Sequence, residues 1–209
     1  MWPKTIHRMV VITAVVLAGC ANPSPLPSYQ PTTTSTPEPT LRATASPVPD
    51  WMAGIDWTTL RRPLSLPAPS IGAPCPVTPV WDGDMPGVGS VLGDGPVFPW
   101  GTNHIPLADL FVLGDYHQQK VLWIVDYHVY DGPVLIRGQR IGGDPEPLAF
   151  WGRDQEATEE LRLGMEGWVS GGTGLREFNS GTGFPGPGCF AYQIDGLELS
   201  ESVVVEVID

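Results

Sequence analysis

Basic residues are scarce in this sequence. Of 209 residues, 11 are lysine or arginine against 23 aspartates and glutamates, a formal charge of −12 at neutral pH. So few cations leave little to neutralise phosphates, which argues against nucleic acid as a partner. Long hydrophobic runs are lacking too. Met9–Ala18 is apolar but for Thr13, yet it has only ten residues. At about 1.5 Å each these reach about half of a ~30 Å hydrocarbon core, too little for a spanning helix. Helical periodicity is nearly absent; Asp154–Leu163 is the one segment predicted as a short helix. Catalytic signatures are missing as well. Ser90 sits in Gly-Val-Gly-Ser-Val rather than in G-x-S-x-G, and no H-E-x-x-H or phosphate-binding loop occurs. No catalytic residue, cofactor or metal is assigned, and the chain reads as a binding rather than a catalytic protein; the alternative is a secreted enzyme whose site is assembled from distant loops.

What is present begins at the N-terminus. Lys4 and Arg8 precede the apolar run, which has the length of a signal-peptide core. Leu17-Ala18-Gly19-Cys20 follows: a branched apolar residue, two small residues, then cysteine. This resembles the lipobox of bacterial lipoproteins over residues 1–20. The resemblance implies a diacylglyceryl group on the Cys20 thiol, cleavage before Cys20, and anchoring in a membrane of the bacterial cell envelope on the extracytoplasmic side. Stable anchoring needs two or more acyl chains, because one binds only marginally. Ala21 after the cysteine implies outer-membrane sorting if the cell has two membranes.

From Ala21 to Asp50 the chain is mostly proline, serine and threonine, with Glu38, Arg42 and Asp50 as its charges. Apolar residues are too sparse to offset ordering entropy by burial. The expected organisation is a signal peptide over 1–19, a lipidated, disordered linker over 20–56, and a folded domain over 57–209. Loss of Lys4 and Arg8 leaves 9 basic against 23 acidic residues, a charge of −14. The lipid, not electrostatics, must then hold the protein at a membrane.

The domain reads as all-β, because short apolar runs are separated by Gly, Pro and Asp-Gly turns. In Lys120–Gly138 the odd positions Val121, Trp123, Val125, Tyr127 and Val129 are apolar and are predicted to face the core. Asp131-Gly132 predicts a hairpin, with Val129 opposite Val134, Tyr127 opposite Ile136, and Asp126 opposite Arg137 on the outer face. A second hairpin is expected around Asp195-Gly196. Phe190, Tyr192 and Ile194 alternate before it and Val203, Val205 and Val207 after it, with a bulge or open edge near Glu201.

With Cys20 set aside, Cys75 and Cys189 remain, an even number that reads as a disulfide in an exported protein; two free thiols are the alternative. The order Cys75, Trp123, Cys189 suggests an immunoglobulin-like antiparallel sandwich. The spacings are wider than in a true immunoglobulin domain, and Pro187 stands where a tyrosine corner needs tyrosine. Stretches such as "RRPLSLPAPSIGAPCPVTP" and "PGPGCFAYQIDG" are similar to small exported bacterial lipoproteins of unassigned activity, over roughly 61–209. That likeness carries over no functional residue.

Candidate ligand-binding residues are Trp100, Trp151 and Trp168, which stand beside glycines and are expected in loops. Exposed, they could stack on sugar rings; the competing reading is that they cap a small core. "DYH" occurs at 115–117 and 126–128. With His104 these residues could hold zinc or copper, but Asp126 and His128 read better as scaffold. "DGD" at 82–84 and "GDG" at 93–95 read as turn chemistry rather than calcium loops. The ligand itself, envelope or extracellular, is not readable.

Overall fold

In a computed structural model of the protein, residues 52–70, 72–81, 88–152, 156–165, 167–169 and 174–209 are described. Cys20 and the proline-rich stretch lie outside them. The strands in chain order are β1 (Val80–Trp81), β2 (Val91–Leu92), β3 (Val97–Pro99), β4 (His104–Pro106), β5 (Phe111–Leu113), β6 (Tyr116–Asp126) and β7 (Val134–Arg140). They continue with β8 (Ala149–Trp151), β9 (Ala157–Thr158), β10 (Glu160–Leu163), β11 (Trp168–Val169), β12 (Leu175–Phe184), β13 (Gly188–Asp195) and β14 (Ser200–Ile208). The order β10-β7-β13-β14-β4 makes one sheet. The order β3-β6-β12-β8-β9 makes a second, with β5 on β6 and β11 on β12, and β1-β2 forms a small third. Pairing is antiparallel except between β14 and β4. The domain is an all-β sandwich.

Alternation decides the core. Val121, Trp123 and Val125 from β6 meet Ile136, Phe150, Phe184, Phe190, Tyr192, Ile194, Val203, Val205 and Val207 between the sheets. Trp123 is fully buried, lies edge-on to Tyr192 with ring centroids 5.4 Å apart, and donates from Nε1 to Ser180 Oγ at 3.0 Å. The even side of β6 is also covered in part. Ile124 packs with Val88, Val91, Phe98 and Leu175 in a separate cluster.

The expected 120–137 hairpin does not form. β6 pairs with β12, β3 and β5, whereas β7 pairs with β13 and β10 in the other sheet. After Asp126 the chain turns out of its sheet. The Asp126 carbonyl accepts the N–H of Val129 (3.1 Å) and of Tyr130 (2.9 Å), and its carboxylate accepts that of His128 (3.0 Å). The arch delivers residue 134 to the opposite sheet, so Val129 is 70% exposed and the Val129–Val134 and Tyr127–Ile136 pairs are not made. Nor does Asp126 meet Arg137, which bonds Asp195 instead at 2.8 Å. The physical reason is length of pairing. β6 makes a ten-residue ladder with β12, more than a local hairpin over 126–137 could offer, and the arch lets apolar residues of both strands face one core.

The predicted helix at 154–163 is corrected too. Its described part is β9 and β10, and β10 pairs with β7 from Glu160 to Leu163. There Leu161 and Leu163 alternate inward while Arg162 stays out, so a period of two prevails over helix propensity. A four-residue helix does occur at Trp57–Leu60, capped by the Asp56 carboxylate on the Thr58 N–H at 3.0 Å.

The C-terminal hairpin forms with continuous register from Asp195↔Ser200 to Gly188↔Val207. No bulge is needed, and Glu201 stands opposite Ile194 on the half-buried side. Burial, and secondarily the charge of Asp94, push its carboxyl up to about 7 from the ordinary 4.5. A carboxyl that holds its proton more tightly when folded makes stability fall as pH rises through that window. Glu201→Gln is therefore expected to flatten the fall in melting temperature between pH 4.5 and about 7. Parallel melting-temperature profiles for variant and wild type would reject this.

Cys75 and Cys189 are disulfide-bonded, with Cα atoms 5.6 Å apart. The bond does not cross the core as in an immunoglobulin domain. It fastens an extended N-terminal segment to the outer side of β13, beside Ile141, Ala191 and Val204. Along that segment Ser65 N–H donates to the Gln193 amide at 2.6 Å, and Thr78 N–H to the Val204 carbonyl at 3.0 Å. Beneath it the fully buried Asp195 carboxylate receives Arg137, Gln193 and Ser200, with Arg62 3.8 Å away.

Candidate binding face

The outer face of the larger sheet carries the most exposed aromatic surface near a free charge. Ladder parity places Tyr116, Gln118 and Lys120 of β6 on that face, beside Gly183 and Gly181 of β12. Trp151 of β8 pairs with Gly181 from the far side, and Phe111 of β5 pairs with Gln118 from the near side. Trp100 follows β3 and donates its N–H to the Leu122 carbonyl at 2.8 Å, two residues along β6 from Lys120. Phe111 and Trp100 are 72% and 47% exposed.

The two glycines explain why this surface is flat. A Cβ on Gly183 would stand 2.6 Å from the Trp151 ring and 2.9 Å from Tyr116 Cβ. A Cβ on Gly181 would collide with the Gln118 amide. With no side chain at either position, the Trp151 indole lies down on the strand, edge-on to Tyr116 with centroids 6.0 Å apart. Gln118 lies over its neighbour. Lys120 stands exposed beside them.

Of the three tryptophans singled out from sequence, two stand in strands and one lies just outside them. Trp151 is in β8 and Trp168 in β11 opposite Glu177, while Trp100 makes a bridge to Val91. Trp100 and Trp151 share one face, on opposite flanks of β6. Lys120 and Gln118 were missed as site residues. The available signal was compositional, since Lys120 is the sole lysine after Lys4.

The histidines do not converge. His104 bonds Asn103 and lies 3.5 Å from Glu206, and His128 packs its ring on Tyr127 at 4.7 Å. Among the described residues, no three His, Cys, Asp or Glu side chains gather as metal ligands. The "GDG" glycines 93 and 95 have φ of 90° and 75°, a turn requirement that only glycine meets freely. "DGD" at 82–84 lies outside the described residues. No described helix is long and apolar enough to cross a membrane.

No protein-family model and no curated protein matches the chain. A solved structure described as a putative lipoprotein from Bacillus anthracis is similar over 66% of this chain and 88% of that one, at 13% identity and a TM-score of 0.43. At that level the likeness carries no argument about this chain.

Proposed function

We propose that this is a lipid-anchored protein of the bacterial cell envelope that displays a non-catalytic binding domain on a linker, with residues 1–19 removed, 20–56 as tether and 57–209 as the domain. The anchor reading rests on Leu17-Ala18-Gly19-Cys20 after a ten-residue apolar core. The binding reading rests on one observation, the flat face that joins Trp100, Phe111 and Trp151 to Gln118 and Lys120. Flat aromatic rings beside hydrogen-bonding groups suit a sugar, whose C–H face stacks while its hydroxyls bond. A glycan is accordingly the ligand class this face favours.

Cys20→Ser is expected to yield either unprocessed precursor or protein released from membranes. Intact mass and membrane fractionation check it. A variant with wild-type mature mass and wild-type membrane association would remove the anchor.

A further inference from the structure

One residue of the face narrows the ligand's chemistry. The described arginines are all engaged: Arg61 and Arg162 with Glu160, Arg62 and Arg137 with Asp195, Arg140 with Glu146, and Arg176 with Asp131. Among the described residues, Lys120 is the one lysine or arginine without an acidic partner, and it is exposed. In a chain of net charge −12 acidic groups are in excess, so an ammonium left unpaired at the centre of an aromatic face is available to a ligand's own anion.

We propose that the face binds an acidic glycan, a chain of sugar rings bearing carboxylates, with one ring on Trp151 and a carboxylate on Lys120. The inference rests on the sugar-binding reading above and adds the charge. Lys120 and Trp151 flank Gly181 from the strands on either side of β12, so their Cα atoms are two strand spacings, about 10 Å, apart. No side chain of Gly181 stands between them. The Gln118 amide that lies there both donates and accepts, as sugar hydroxyls require. On the other flank Phe111 and Trp100 stand level with residues 118 and 122, about 13 Å apart along β6, which leaves room for further rings. An acidic peptide fits less well. The glycine positions are covered by Trp151 and Gln118, which leaves no gap there for a peptide side chain, and β12 at Gly181 and Gly183 is already paired on both sides, by β6 and β8.

The test uses the full chain in detergent and follows tryptophan fluorescence. It is titrated with oligogalacturonate, with a neutral oligogalactoside of equal length, and with polyglutamate. Oligogalacturonate is expected to bind more tightly than the neutral sugar, in a salt-sensitive way. Lys120→Gln should weaken it about tenfold and erase its advantage, whereas Lys120→Arg should retain binding. Trp151→Ala should abolish binding of both sugars, with its folding checked by melting. Lys120 is exposed, so its variants decide the charge question even if Trp151→Ala fails to fold. Equal binding of both sugars, unchanged by Lys120→Gln, would overturn the acidic class and leave the sugar face standing. Absence of binding by either sugar would overturn both. Polyglutamate that binds as tightly as oligogalacturonate, through Lys120 but not Trp151, would make the ligand an acidic peptide and overturn the proposal.

Discussion

Replacing Trp123 by alanine is expected to lower the unfolding free energy by about 3–5 kcal/mol, the range for deleting a large aromatic from a packed core. Trp123 is 0% exposed and sits where both sheets meet, edge-on to Tyr192 and within the cluster of Phe150, Phe184 and Phe190. Its removal loses burial and also leaves a cavity, because strands held by ladders on both sides cannot close over the gap. β6 is such a strand, paired with β12 on one edge and with β3 and β5 on the other. The lost bond to Ser180 adds to the cost, since Ser180 is 7% exposed and has the Val121 carbonyl at 3.5 Å as its remaining partner. Urea unfolding at constant slope measures the effect. A loss below about 1 kcal/mol would show that the core is not packed as described. Val129→Ala is the internal control. Val129 is 70% exposed, and the expected cost is within about 0.5 kcal/mol.

Asp195→Ala should be comparably severe, about 3–5 kcal/mol, for a different reason. The carboxylate is fully buried, with Arg137 at 2.8 Å, Gln193 at 2.9 Å and Ser200 at 2.7 Å. The pair's own net contribution is small, because desolvation of two ions consumes most of the Coulomb gain. The large figure comes from what is left behind. Arg137 has 14% of its side chain exposed, and its Nε already lacks a partner among the described residues. Without Asp195 a buried guanidinium would keep only the Arg62 carbonyl at 2.5 Å. The double variant Asp195→Ala/Arg137→Met should therefore recover more than half of the loss. If the double variant is instead as unstable as the sum of the singles, the two side chains do not act on one another and the account of the network fails.

Legibility in the sequence followed range. The C-terminal hairpin could be read because its strands are four residues apart and both alternate, and its register joins Tyr192 to Val203 and Phe190 to Val205. The inward parity of Val121, Trp123 and Val125 was equally legible, since alternation is written in adjacent residues. The same stretch misled where it asked for a partner. Asp131-Gly132 is a turn signal, and the chain does turn there, but into an arch between sheets. The short strand at Glu160–Leu163 misled in the same way, because "EELRL" suits a helix until β7 offers a ladder.

By itself, then, the sequence determined the sandwich class, the core parity of β6, the C-terminal register, the even pair of cysteines, and the lipobox that resembles a lipoprotein anchor. Only the tertiary structure decided that β6 and β7 part company, that the disulfide fastens the N-terminal segment to the outer side of β13, and that Gln118 and Trp151 lie over Gly181 and Gly183 with Lys120 in register beside them. The division has one physical cause. Alternation and turn chemistry are energies between near neighbours, and so they are visible in a short window of sequence. Strand partnership is settled by the summed pairing and burial of a whole sheet. There a ten-residue ladder between residues 49 to 67 positions apart outweighs a local hairpin, and the face it assembles draws on strands that no short window contains together.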